Sequence, residues 1–213
     1  MSWSAPDAGS IACARSVLRL RGRSADPVET LSEHWWPRAM DPVDGLGSVD
    51  DRWGVCGADW AGAFATGGLT RIYVAPRTDA GPQAVRAVVE ALAVVTHGWA
   101  VEFGDAPAAR AIGRGIVAHV PDSVARSAMG QVLARVAPLV RPGRPPMTFE
   151  LAPGVSWSED PAGGLDFGVE RCRALALARD AAFEAEPRAF AESAAAAFVD
   201  LGLDPRRPWL RAA

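Results

Sequence analysis

Between Leu69 and Leu151 the hydrophobic period of the chain switches repeatedly between two residues and 3.6, and the order of those switches restricts the fold more than anything else in the sequence. Leu69 to Ala75 alternates, so Ile72 and Val74 face one side of a strand while Arg71 and Tyr73 share the other. Gly81-Pro82 then opens a helix in which Val85, Val88, Val89 and Leu92 repeat at the i, i+3, i+4, i+7 spacing of a core-facing stripe. Trp99 to Phe103 and Gly115 to Val120 read as two further strands. Asp122 or Ser123 caps a second helix, which carries Met129, Val132, Leu133 and Val136 and stops before Arg141-Pro142-Gly143. Met147 to Leu151 supplies a fourth strand. This succession is the split βαβ order, and it predicts an α+β domain with a mostly antiparallel four-stranded sheet and two helices on one face. Two further C-terminal helices follow, one from about Asp166 to Phe183 and one from Pro187 to Leu201 that Gly202 stops.

Upstream of Leu69 the patterns weaken. Residues 1–25 mix Ser, Ala, Gly and Arg around Val17-Leu18-Arg19-Leu20 and are poorly specified. Asp26-Pro27-Val28-Glu29 sets an N-cap, a proline at the first helical position and an acid at the third. Val28, Leu31 and Trp35 follow on one face, which predicts a short helix ending at Trp36-Pro37. Residues 41–68 gather glycine and aspartate around Trp53, Trp60 and Phe64, as hairpin-like or irregular structure does. With 213 residues, 49% of them apolar, the chain can bury a full core. We read a single domain over residues 26–213 behind the unspecified segment 1–25.

Composition excludes several function classes. A net charge of −3 argues against a nucleic-acid partner. The chain contains no lysine, so chemistry that needs a Schiff base or a lysine general base is ruled out. Cys13, Cys56 and Cys172 are far apart and odd in number, which suits a reducing compartment better than a disulfide framework. No apolar run reaches membrane-spanning length, and the N-terminus lacks the basic segment and apolar core of a signal peptide. A cytoplasmic protein without membrane association is the expectation. Asp166-Phe167-Gly168 matches the kinase magnesium-binding tripeptide, but the lysine and catalytic loop of a kinase are missing. The glycine pairs near Gly45 and Gly113 lack the third glycine and following helix of a phosphate cradle. His34, His97 and His119 have no partner at metal spacing, so neither a metal nor another cofactor is expected.

What remains is a set of arginines around one tyrosine and the histidines. Arg71 and Tyr73 emerge on the same strand face roughly 7 Å apart along the chain. In the helix after Asp166, an apolar stripe of Leu165, Val169, Cys172, Ala176 and Phe183 turns Arg171 to the opposite side, toward ligand or solvent, with Arg173 at the flank. Taken singly, such arginines are ordinarily solvated or surface-paired charges, and His34 beside two tryptophans reads as a packed neighbour.

A longer pattern connects these residues. Arg71-Ile72-Tyr73-Val74, the helix from Pro82, Leu151-Ala152-Pro153-Gly154-Val155, Glu159-Asp160-Pro161, Phe167-Gly168 with Arg171-Cys172-Arg173, and Gly202-Leu203-Asp204-Pro205 through Pro208-Trp209-Leu210 occur in an order and spacing that resembles the Hop A family of type III effector-like proteins, over about residues 69–210. Leu31 to Trp36 is similar to the family's early aromatic helix. Relatives of that family accompany kinase-like proteins in the maturation of ribosomally made peptides, and in class V lanthipeptide and thioamitide pathways they are associated with dehydration of Ser and Thr. The resemblance therefore implies a phosphoserine/phosphothreonine lyase. A kinase-like partner would phosphorylate the precursor peptide, and this protein would eliminate phosphate to leave a dehydroamino acid. Elimination needs a base at the Cα proton and a cationic nest for the departing phosphate. Arginine suits the nest because its planar fork binds phosphate oxygens in pairs and keeps its proton. Arg71 and Arg171 are the phosphate candidates, with Arg173 or Arg144 in reserve; the base would be His34, His119, Tyr73 or a carboxylate.

The chain also departs from the family pattern. Its N-terminal portion is compressed, Asp166 stands where a Ser is expected before Phe-Gly, and Arg114 stands where an acid is usual. A carboxylate added beside a phosphate nest repels the substrate unless Arg171 or Arg173 neutralises it. The alternatives are a non-catalytic adaptor, binding the precursor's leader peptide or the kinase-like partner, and a free-standing effector.

Overall fold

The computed structural model describes residues 68–103, 115–145, 147–159, 192–200 and 202–211, with shorter pieces at 56–59, 62–63, 171, 174–175 and 177–178, and the backbone alone at 48–49, 52–55 and 187–191. In chain order its elements are β1 (Ser48–Val49), β2 (Arg52–Cys56), β3 (Leu69–Val74), α1 (Gly81–Ala93), β4 (Ala100–Phe103), β5 (Ile116–Pro121), α2 (Ala125–Val136), β6 (Phe149–Ala152), β7 (Val155–Glu159) and α3 (Pro187–Asp200).

The seven strands form one sheet in the order β1-β2-β4-β5-β3-β7-β6, antiparallel at every pairing. Strands β3 and β4 therefore run parallel with β5 between them, and β5 and β7 run parallel with β3 between them. These are two interleaved split βαβ units, so the α+β class and the order follow from the periods in the sequence. The strand count does not. The fourth strand of the central unit is Val155–Glu159, and Phe149–Ala152, close to the segment expected to fill that role, is its outer hairpin partner. The reason lies at Pro153-Gly154, which reads as a loop. Proline's fixed φ followed by Gly154 at φ 83° is what a type II turn asks of its central residues, so the chain reverses in two positions. At the other side, the β1–β2 hairpin extends the sheet beyond β4, in keeping with the hairpin-like reading of residues 41–68.

Alternation assigns the two sheet faces. Ile72 and Val74, Val101 and Phe103, Ile116, Ala118 and Val120, and Val155 form one core with Ala84, Val88, Ala91 and Leu92 of α1 and Ala128, Val132 and Val136 of α2. Burial of each large member of such a core contributes roughly 1.5–3 kcal/mol. In α1 the fully buried line runs through Ala84 and Ala91, while Val85 and Val89 are half-buried; a search for large apolar side chains passes over the alanines. Neither Asp122 nor Ser123 caps α2 by its side chain. A 3-10 turn, Asp122–Val124, precedes the helix, and the Asp122 carboxylate accepts instead from Thr70 Oγ1 at 2.7 Å.

Helix α3 ends as expected at Gly202, whose φ is 69°. Gly202 N–H donates to the Val199 carbonyl and Leu203 N–H to the Phe198 carbonyl, the paired bonds of a Schellman motif. In the preceding helix, Arg171, Ala174, Leu175 and Ala178 are buried at i, i+3, i+4, i+7, and Leu177 is exposed. The expectation that Arg171 turns outward is thus overturned: it lies on the buried line of its helix. The two alanines define that line, and a stripe drawn through the larger residues misses it. The helix expected at Asp26–Trp36, with His34, and the positions of Leu165, Val169, Cys172, Arg173, Ala176 and Phe183 lie outside the described residues.

Candidate functional site

The second face of the central sheet is polar. Register places Ser158, Arg71, His119 and Ala100 side by side across β7, β3, β5 and β4, and beside them Glu150, Ser156, Tyr73, Val117 and Glu102 across β6, β7, β3, β5 and β4. Directly opposed residues have Cβ atoms about 4.5–5.5 Å apart, so each of these rows is a continuous line of side chains. The middle of both rows is covered: Arg71 is 4% exposed, His119 5%, Ser156 1%, and Tyr73 and Ser158 are inaccessible, while Glu150 at the β6 end is exposed.

Two diagonal contacts stitch the rows together. His119 Nε2 lies 3.1 Å from Glu102 Oε1, which sets an imidazole against a carboxylate. The Tyr73 hydroxyl lies 3.3 Å from Ser158 Oγ. Thr148, just ahead of β6, extends the hydroxyl line, since its Oγ1 donates to the Pro145 carbonyl at 2.7 Å and stands 3.0 Å from Ser156 Oγ. Met147 beside it holds φ at 59°, a left-handed conformation uncommon for a residue with a side chain. Arg71 therefore has an imidazole–carboxylate pair on one flank and serine and tyrosine hydroxyls on the other. Such a set can hold an oxyanion against the guanidinium and the hydroxyls and can accept a proton at the imidazole.

Of the residues singled out in the sequence, the structure brings Arg71, Tyr73 and His119 together. Arg144 lies at the β6 end of the second row. Its Nη1 donates to the Thr148 carbonyl and its Nε lies 3.8 Å from Glu150 Oε2. Arg171 is fully buried, and its Nε donates to the Pro208 carbonyl at 2.8 Å. Pro208 leads to Trp209, whose carbonyl accepts from Glu159 N–H at 2.8 Å, one residue beyond Ser158. His34 and Arg173 lie outside the described residues.

Sequence reading missed Glu102, Ser156 and Ser158. A signal for each exists. Glu102 is an acid between Val101 and Phe103 in a short strand, and Ser156 and Ser158 alternate with Val155 and Trp157 once Pro153-Gly154 is taken as a turn.

Residues 117–210, under half of the chain, match the family model described as the HopA1 effector protein family. No curated protein matches the sequence. Among solved structures the chain is similar to the effector protein from Pseudomonas syringae pv. tomato strain DC3000, at a TM-score of 0.54 and 15% identity over 99% of this chain and 85% of that one. The effector protein from Pseudomonas syringae pv. syringae strain 61 aligns at a TM-score of 0.45 and 16% identity, over 68% of this chain and 58% of that one. The first likeness establishes a shared fold. The family match spans β5, α2, β6, β7, α3 and the C-terminal tail, and thus His119, Ser156, Ser158 and Arg171.

Proposed function

We propose that the chain is a phosphoserine/phosphothreonine lyase that acts on a ribosomally made precursor peptide in the cytoplasm, downstream of a kinase-like partner. The observation that carries this reading is the placement of Arg71 directly across from His119, whose imidazole stands 3.1 Å from Glu102. A candidate phosphate-binding guanidinium and a candidate base are thereby adjacent. In the step proposed, His119 takes the Cα proton of the phosphorylated residue, and the C–H electron pair becomes the Cα=Cβ bond. The Cβ–O bond breaks, and phosphate leaves with that bond's electrons toward Arg71 and the Ser158 hydroxyl. The Glu102 carboxylate stands against the imidazole that receives the proton. Tyr73, two residues from Arg71 on the same strand, is the alternative base. Arg171 is a second phosphate candidate from the tail side.

A second reading, the non-catalytic adaptor, draws support from the way Arg144 is tied to Glu150 and the Thr148 carbonyl and from the depth of the polar rows. Mass spectrometry of a phosphoserine- and phosphothreonine-containing peptide incubated with the protein, alone and with a kinase-like partner, decides between them. The lyase produces loss of phosphoric acid that His119→Ala slows by roughly 10²–10⁴ and Arg71→Ala also suppresses. Intact phosphopeptide under both conditions, together with measurable peptide binding, overturns the lyase and leaves the adaptor.

A further inference from the structure

We infer that the closed loop Leu203–Arg211 positions the Arg171 guanidinium, and that Arg211 is the residue that locks this loop to the sheet. The placement rests on contacts within the chain; that the placed group meets phosphate rests on the function proposed above.

The loop is a self-contained unit. Its ends are joined by a bridge between Leu203 and Arg211. Asp204 organises the interior. Its Oδ1 accepts from the N–H groups of Arg206 at 2.9 Å and Arg207 at 3.2 Å, and its Oδ2 accepts from Arg207 Nε at 2.6 Å. Leu210 N–H donates to the Arg207 carbonyl at 2.8 Å. One side of this unit faces Arg171, where the Pro208 carbonyl accepts from Nε. Because a guanidinium is planar and its Nε–H lies in that plane, the bond at Nε restricts where the Nη edge can point.

Another side of the unit is clamped to the strand ends beside the polar rows. The Trp209 carbonyl accepts from Glu159 N–H, and Arg211 N–H donates to Glu159 Oε2 at 2.9 Å. The Arg211 guanidinium spans two acids, with Nε 3.6 Å from Glu159 and Nη2 bonded to Asp122. Asp122 in turn holds Thr70. Thr70 and Glu159 are opposed in register and immediately precede Arg71 and follow Ser158, respectively. Arg211 therefore ties β3, β5 and β7 to the loop that carries the Pro208 carbonyl. Its side chain is 25% exposed and its two acids 38% and 28%, so the clamp is accessible to solvent and contributes little to global stability. A substitution there shifts the loop without emptying the core.

The test is NMR of the full chain labelled at arginine side chains, with the Arg171 Nε–H signal assigned by its loss in Arg171→Gln. In the wild type this proton, buried and bonded to the Pro208 carbonyl, is expected to exchange slowly. Arg211→Gln is expected to speed its exchange by about tenfold or more. Glu159→Gln, which removes one acid from the clamp, acts in the same direction and serves where Arg211→Gln folds poorly. Arg211→Lys keeps the charge but not the spanning fork and falls between. Arg135→Gln, which breaks the unrelated surface pair with Glu90, leaves the signal where it was. Unchanged Arg171 exchange in Arg211→Gln or Glu159→Gln overturns the positioning role. Inorganic phosphate added to the wild type reads the other question. An Arg171 signal that moves supports the phosphate role, and one that stays still removes Arg171 from the proposed reaction while the clamp result stands by itself.

Discussion

Replacing Tyr73 by Phe deletes one oxygen from the middle of the polar rows and keeps the buried ring, so it separates packing from hydrogen bonding and from chemistry. The hydroxyl stands 3.3 Å from Ser158 Oγ, and both residues are inaccessible to solvent. That separation exceeds the usual 2.7–2.8 Å of an O–H···O bond, which places the pair at the weak end of the roughly 0.5–1.5 kcal/mol a neutral bond contributes. Depriving buried Ser158 of this neighbour adds a desolvation cost, so the single substitution is expected to lower stability by about 1–2 kcal/mol. For a chain of this size that is a fall in Tm of roughly 2–8 °C. The assay is urea unfolding followed by tryptophan fluorescence, for which the chain carries eight reporters, on the wild type, Tyr73→Phe, Ser158→Ala and the double variant. The cycle is expected to return a coupling of about 0.5–1 kcal/mol. A coupling within about 0.3 kcal/mol of zero would show that the two hydroxyls are neighbours without a bond, and the diagonal stitching of the rows would be refuted. The same variant sorts the two candidate bases. With His119 as the base, Tyr73→Phe retains elimination within a few-fold, whereas loss by roughly 10²–10⁴ assigns the proton transfer to Tyr73.

Other consequences are independent of any reaction. Gly154→Ala is expected to cost about 2 kcal/mol or more, because φ is 83° and an added Cβ would lie 2.3 Å from the Arg141 carbonyl oxygen; calorimetry showing a loss under about 0.5 kcal/mol would contradict the turn geometry. Leu92→Ala empties a fully buried position between α1 and the sheet, and urea unfolding is expected to show a loss of about 2–5 kcal/mol. Burial pushes the Asp204 carboxyl up, but the N–H groups of Arg206 and Arg207 and the Arg207 side chain outweigh it and hold it below its ordinary 3.8. A carboxyl lowered in the folded state stabilises above its unfolded pKa and loses that contribution as pH falls through the folded value. Asp204→Asn is therefore expected to be less stable than the wild type at pH 6, with the gap closing below about pH 3.8; a gap that persists or widens in acid would disprove the cause assigned.

The legible part of this fold is the part written in two periods. Ile72 and Val74 against Arg71 and Tyr73 is a period-two statement, and it located the boundary between core and polar face correctly. Gly202 was legible because a positive φ after a helix has few other occupants. The misreadings share a cause in residues whose role depends on partners remote in sequence. Pro153-Gly154 is a turn only because β6 and β7 pair around it, so Ser156 and Ser158 stayed hidden in an apparent loop. Asp122 carries the residue type of a helix cap, yet Thr70 and Arg211, 52 and 89 positions away, take its oxygens. Arg171 was read outward because charge is ordinarily solvated, and the Pro208 carbonyl 37 positions away gives it a buried place. Glu102 and His119 are unremarkable singly, and only antiparallel pairing of β4 with β5 makes them a pair.

Stability alone does not account for the second face of the sheet. An antiparallel sheet with helices on one side can leave its other side to water, where arginine, histidine and serine cost nothing to solvate. Here those residue types are covered, and covering them is costly unless each is hydrogen-bonded; apolar residues of similar volume would often serve equally well or better. Sequences depart from local optima of this kind chiefly at sites of chemistry or recognition. The same burial constrains the mechanism. A peptide can react at Arg71 and His119 only in the fraction of molecules whose polar rows are accessible, and apparent affinity falls in proportion to that fraction. The lyase reading therefore requires opening next to β3 and β7 on the timescale of turnover, and the solvent-accessible Arg211 clamp borders both strands. The adaptor reading requires no such opening, because its contacts can be made with the rows closed. Amide exchange in β3 and β7 that is as slow as global unfolding, in the presence of phosphopeptide as well as in its absence, would favour the adaptor before any product is assayed.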